Sequence, residues 1–238
     1  MSTSVKAIVL SKIKFRDNDL IISCYTQHRG LSSYLIRGAF KSRRPGTIAY
    51  YQLLSQLEIV ETYKPNQSLH YIKEVKSSFV YKTLHTNVIK SSIVLFLAEV
   101  LANVLKEEEQ NILLFDYLET ALQWLDSETS YANFHLLFLL KLTKHLGFYP
   151  DMTQTEVGVF NLQSGYFEAN SKHIYAVSLG NNLILKQLLD INFDALNRVK
   201  LNADQRQAFL NMLMQYFELH LGYFKKPKSL QIFNEVFK

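Results

Sequence analysis

Apolar and polar residues alternate through the first third of the chain, and the spacing changes to three and four residues after it. Val5, Ala7 and Val9 alternate with Lys6, Ile8 and Leu10, which predicts a strand from Val5 to Lys14 with one apolar face and one mixed face. The polar run Arg16-Asp17-Asn18-Asp19 turns the chain. Asp19 to Gln27, rich in Ile, Tyr and Thr, predicts a second strand, and Leu31 to Ile36 a third. His28-Arg29-Gly30 between them is a turn signal, so the pair reads as a hairpin closed by a short Gly-containing loop. After Pro45-Gly46, a strand is expected from about Tyr51 to Tyr63 with Leu53, Leu57 and Ile59 on its inner face. Lys64-Pro65-Asn66-Gln67 is a turn, and Leu69 to Val75 alternates as a fifth strand. Short strands punctuated at regular intervals predict a small closed or sandwich β module. A five-stranded Greek-key barrel of the OB type is preferred, with an SH3-like barrel as the alternative.

From Tyr81 the helical period takes over. Leu84, Val88, Ile89, Ile93, Phe96, Leu97, Val100, Leu101, Val104 and Leu105 keep the spacing of a buried helix face, up to Glu107-Glu108-Glu109. A second helix is expected over about Ile112 to Trp124. A third starts near Tyr131 and is stopped by Gly147 and Pro150, with Lys141, Lys144 and His145 in its last turns, where cations favour the dipole. Val157 to Ala169 interrupts the helices as a small hairpin that turns at Gln163-Ser164-Gly165. Helices resume around Leu183 to Leu189, then after an Asn202 cap through His220, and finally from Ser229. The expected architecture is thus α+β in two domains. Residues 1–80 form an OB-type barrel, and residues 81–238 form a mostly helical domain with a hairpin near 157–169.

Charge sharpens this division. The chain has 238 residues and a formal net charge of +5. Residues 1–80 hold 12 Lys/Arg against 5 Asp/Glu, a balance of +7, which leaves −2 for the remainder. No acid lies between Leu20 and Leu57, while Arg37, Lys41, Arg43 and Arg44 crowd the exit of the hairpin around Gly38 and Phe40. Cations interleaved with an aromatic suit a polyanion with stacked bases; the plainer alternative is a solvated basic loop. Phosphate contacts are therefore expected from Arg37, Lys41, Arg43 and Arg44, helped by Lys14, Arg16 and Arg29. Base stacking is expected first from Phe40, with Phe15, Tyr34, Tyr50 and Tyr51 as further aromatics, of which Tyr34 equally suits the core.

Other chemistry finds little support. Cys24 is the only cysteine, which excludes an intrachain disulfide and a multi-cysteine zinc site, and its place in a strand reads as a small buried apolar residue. Gly38-Ala39-Phe40-Lys41-Ser42 lacks the adjacent Gly-Lys pair and the earlier Gly of a phosphate loop. His135 and His145 share one helix at ten residues' separation, not the spacing of a common metal site. No catalytic motif is present, so a non-enzymatic binder without cofactor or metal is expected. The apolar runs are too short to span a bilayer and the N-terminus does not read as a signal peptide, which points to the cytoplasm.

The run from Asp19 through Thr26, Gly30 and Arg37-Gly38-Ala39 to Lys41-Ser42 resembles the N-terminal pattern of the RecO family of bacterial DNA repair and recombination-mediator proteins. The similarity continues at Leu146-Gly147-Phe148-Tyr149-Pro150, at Phe160-Asn161-Leu162 before Gly165, and at Leu221-Gly222 followed by Lys228-Ser229. The resemblance implies an N-terminal OB-fold and a helical C-terminal domain. It implies binding of single- and double-stranded DNA, annealing of complementary strands, and help in loading recombinase onto strands coated by single-strand-binding protein (SSB). The implied partners are RecR and the acidic C-terminal tail of SSB. Many family members carry four zinc-binding cysteines after the Leu-Gly-Tyr-Pro-like motif, whereas Asp151 to Gly158 here has none. On the third helix, Phe134, Phe138 and Leu142 would seat the tail's ring and Lys141 and Lys144 its carboxylate; the alternative is that the apolar three are internal and the lysines serve the helix terminus. Two further readings remain beside the family: a general binding module for RNA or DNA, and a helical protein-interaction adaptor.

Overall fold

Strand β1 (Ser2–Phe15) pairs along both edges, antiparallel with β2 (Asp19–Thr26) on one side and with β4 (Gln56–Thr62) on the other. β3 (Gly30–Ile36) continues from β2, and β5 (Tyr71–Ser77) from β4, so the sheet runs β3-β2-β1-β4-β5. Its ends then meet. His70, just ahead of β5, bridges Tyr34 of β3 in parallel; the Leu35 N–H donates to the His70 carbonyl at 2.9 Å and the His70 N–H to the Ser33 carbonyl at 2.9 Å. A five-stranded barrel closed through a parallel β3–β5 seam is the OB arrangement. These observations come from a computed structural model that describes residues 2–41, 47–63, 66–106, 108–156, 158–169 and 172–237.

The period-2 pattern explains the barrel interior. Val5, Ala7 and Val9 of β1, Leu20, Ile22 and Cys24 of β2, Tyr34 and Ile36 of β3, and Leu57 and Ile59 of β4 form one buried cluster. Each large aliphatic among them contributes roughly 1.5–3 kcal/mol relative to exposure. Burial also pushes the Cys24 thiol pKa up, which leaves it a neutral, unreactive core group. The other face of β1 is buried too: Ile8 and Leu10 have essentially no exposure. Helix α1 (Val88–Val104) packs on this strand, which accounts for the mixed outer face read from the sequence.

The two largest departures from the expected element boundaries lie at β4 and α1. The strand expected from Tyr51 starts at Gln56, because Thr47–Tyr51 coil into a 3-10 turn and Leu54 adopts φ 59°. This places the Leu54 N–H 2.7 Å from the Val9 carbonyl. The first helix starts at Val88, not at Tyr81. Asn87 caps it by accepting from the N–H groups of Ile89 and Lys90, while Asp126, near the end of α2 (Ile112–Ser127), holds the preceding residues in a turn. The Asp126 carboxylate accepts from the backbone N–H of Lys82, Thr83 and Leu84 at 2.8–2.9 Å, and the buried Lys90 ammonium donates to the Asp126 carbonyl at 2.8 Å. The barrel and its two helices make one compact unit, Met1–Ser127.

The second unit, Glu128–Lys238, is built on helix α3 (Phe134–His145), whose residues Leu136 to Leu140 are all fully buried. Around it lie α4 (Leu179–Leu189), α5 (Ala203–His220) and α6 (Leu230–Val236). Asn202 caps α5 in a capping box with Gln205. The hairpin is β6 (Val159–Asn161) with β7 (Tyr166–Glu168), turning through Gly165 at φ +75°. Gly158 ahead of it is required sterically, since a Cβ there would lie 2.7 Å from the Phe167 Cβ.

Burial by itself would raise the Asp126 pKa, but three backbone N–H donors and the Thr83 hydroxyl lower it below its ordinary value of 3.8. Its stabilisation is therefore complete above that pH and is lost as the pH falls through the depressed value. Asp126→Ala is expected to cost roughly 2 kcal/mol or more, and to flatten the acid limb of the thermal-melt pH profile. An unchanged midpoint at neutral pH would refute this.

Candidate nucleic-acid interface

The open end of the β2–β3 hairpin and the β1–β2 turn form one rim of the barrel. Asp19, the first residue of β2, accepts from the Gly38 N–H at 2.8 Å, and the Phe40 N–H donates to the Asn18 carbonyl at 3.1 Å. Gly38 takes φ +64°, which lets the Lys41 N–H return to the Gly38 carbonyl at 3.1 Å. The Asp19 carboxylate is thus spent on positioning this loop.

Among the described residues, three cation–ring pairs stand on the rim. The Lys14 ammonium lies 5.7 Å from the Phe40 ring centre, the Arg16 guanidinium 5.1 Å from that of Phe15, and the Arg37 guanidinium 5.1 Å from that of Tyr71. Arg37 also donates to the Tyr71 hydroxyl at 3.2 Å. Lys14, Arg16, Arg37 and Lys41 are exposed, and Phe40 and Tyr71 keep 41 % and 37 % exposure, so both rings retain surface for a stacked base. Tyr71 was not among the expected aromatics. It reaches Arg37 because β5 runs parallel to β3 across the seam, a long-range pairing that local alternation does not encode.

The expected cluster is partly rearranged. Arg43 and Arg44 lie outside the described residues. Arg29 sits at the closed end of the hairpin, roughly 20 Å from Arg37 at the rise of a seven-residue strand. There it ion-pairs with Glu61, which is fully buried, and lies 4.1 Å over the Tyr63 ring, so its charge is already committed and it leaves the phosphate-binding set. Tyr34 and Tyr51 are core residues, while Tyr50 is 38 % exposed.

On α3, Phe134, Phe138 and Leu142 have no exposure, so they cannot seat a peptide's ring. This corrects the expected tail pocket. Lys141 donates to Asn192 at 3.2 Å and Lys144 points to solvent. In place of a zinc site, the hairpin is tied by side chains: Asn161 and Ser164 both donate to Glu168, and Asn182 bonds the backbone of Phe160 and Gly158. Asp151 to Gly158 offers no Cys or His, so the four-cysteine site of many family members does not fit this segment.

A closed five-stranded barrel with a basic, ring-bearing rim, followed along the chain by a helical unit, makes this an OB-fold protein of two units. Residues 1–81 match the family described as Recombination protein O N terminal, and residues 85–231 the one described as Recombination protein O C terminal. The chain is 45 % identical over 238 residues to the DNA repair protein RecO of Christiangramia forsetii and 43 % identical to that of Flavobacterium johnsoniae, each over all of both chains. It is 33 % identical to that of Bacteroides fragilis over 97 % of both. The chain belongs to the RecO family of DNA repair proteins.

Phe40→Ala is expected to weaken binding to single-stranded oligonucleotide by roughly 1–3 kcal/mol and to leave the thermal midpoint essentially unmoved. A large loss of stability would instead place this ring in the core.

Proposed function

We propose that this chain is a non-enzymatic recombination mediator. It binds single- and double-stranded DNA, anneals complementary strands, and helps load recombinase onto strands coated by SSB, acting in the cytoplasm where the chromosome lies. The observation that carries the reading is the trio of cation–ring pairs on one barrel rim. Exposed cations satisfy phosphates without sequence preference, and exposed rings stack any base, which is what annealing of arbitrary sequences requires. Residues 1–80 supply this surface, and 81–238 supply protein contacts, for the helical part carries no positive excess.

Those contacts are with RecR and with the acidic SSB tail. For the tail, the candidate is a pocket of about 110 Å³ between α5 and α6, whose lining also carries Asp204. Phe233 and Phe237 supply ring walls, and Arg206 presents an Nε with no hydrogen-bond partner among the described residues. Lys141 and Lys144 remain the competing cations on α3.

The quadruple variant Lys14→Ala/Arg16→Ala/Arg37→Ala/Lys41→Ala should anneal SSB-coated complementary strands far more slowly than the wild type. Its salt dependence of oligonucleotide binding should flatten by about 0.7 in log–log slope for each phosphate it no longer neutralises. Wild-type annealing and slope in this variant would overturn the reading. Titration of a labelled tail peptide separates the two cation sites: Arg206→Ala is expected to weaken it, and Lys141→Glu/Lys144→Glu to leave it unchanged.

A further inference from the structure

A second pocket lies at the other end of the hairpin, where β3 and the β4–β5 connection diverge just ahead of the His70 bridge. It has a volume of about 310 Å³, at the small end of ligand sites. Its walls include Arg29, Ser33, Tyr63, Gln67, His70 and Glu108. Unlike the rim beside Gly38, it presents no uncompensated cation among the described residues: Arg29 is neutralised by Glu61, and Glu108 adds a carboxylate. On these described walls a phosphate would meet a paired cation and a carboxylate.

Two polar groups nevertheless have no hydrogen-bond partner among the described residues. His70 keeps only 7 % exposure, yet its Nδ1 makes no hydrogen bond, and the Arg29 Nε is likewise unpartnered. Burial, with the Arg29 charge beside it, lowers the His70 pKa, so the ring stands neutral at neutral pH. The ring is held between Tyr63, at 4.8 Å, and Tyr34, at 6.1 Å. The connector that carries Glu108 is held near the β2–β3 turn by a contact between Gln110 and His28 at 3.4 Å.

We propose that this pocket takes one unstacked nucleobase of single-stranded DNA and favours a base that carries an exocyclic amine over thymine. The inference rests on the nucleic-acid reading above. A base is neutral, flat and edged with mixed donors and acceptors, which is what these walls pair with. The Arg29 N–H suits a ring nitrogen or carbonyl, His70 and Gln67 suit either kind of edge, and the Glu108 carboxylate accepts from an amine. Thymine would turn a carbonyl toward that carboxylate and leave it unpaired.

Fluorescence anisotropy with oligo(dC) and oligo(dT) of equal length, at one salt concentration, tests this with the full chain. The expected result is tighter binding of oligo(dC) by at least about fivefold, the lower end of discrimination by a paired base edge. Glu108→Gln and His70→Phe should bring the two affinities together and leave the salt slope unchanged. Should a melt show that His70→Phe unfolds, Gln67→Ala, at an exposed position, is read in its place. Equal wild-type affinities, or a preference that survives every pocket variant, overturn the pocket. Absence of salt-dependent binding to either oligonucleotide overturns the nucleic-acid reading itself, so the two failures are distinct.

Discussion

Glu61 is a carboxylate with no solvent exposure, and the closed end of the barrel is arranged around satisfying it. Leaving such a charge unpaired would cost several kcal/mol. The Tyr34 hydroxyl donates to it at 2.8 Å and the Arg29 guanidinium pairs with it. Burial pushes the Tyr34 pKa up, so that hydroxyl remains a donor. These three residues belong to β4, β3 and the β2–β3 turn, and the pairing draws them together beside the seam where β3 meets His70. Among the described residues the bridge at His70 has two backbone hydrogen bonds, and the Glu61 pairing ties β3, β4 and the β2–β3 turn together beside it.

The same arrangement divides the barrel electrostatically. At the closed end the cation is half-buried and compensated. At the open end Lys14, Arg16 and Arg37 each rest near a ring instead of an acid. A cation held by a ring keeps its full charge and loses some of its conformational freedom, so less entropy remains to be lost when a phosphate arrives. The two ends therefore differ in what they present, exposed cations beside rings at one and an acid-paired cation at the other.

Much of this was legible in the sequence where the information is local. Alternation located all five strands, and His28-Arg29-Gly30 and Gln163-Ser164-Gly165 marked the two hairpin turns. Asn202 and Gly147 bounded their helices because capping acts within a few residues. What escaped depends on partners distant in the chain. Arg29 reads as one more cation until Glu61, far along the chain in β4, is seen beneath it. Tyr71 becomes part of the rim only through the parallel seam. Phe134, Phe138 and Leu142 share a chain stretch with two lysines, but a helix buried on most of its circumference exposes only the charged positions. The turn before α1 follows from Asp126, at the far end of the next helix.

The segment matched to the N-terminal family ends at residue 81, while the compact unit that contains it continues to Ser127. The family boundary and the boundary of the compact unit thus differ. Gln56 of β4 donates to the Glu119 carbonyl, Tyr25 stacks on Phe115, and Lys6 pairs with Glu119, so α1 and α2 complete the barrel's outer layer. The five strands and the His70 closure are complete by Ser77, but the helices that cover β1 come later in the chain. During synthesis the strand face bearing Ile8 and Leu10 therefore precedes its own cover by more than seventy residues, an interval in which exposed apolar surface is prone to misassociation.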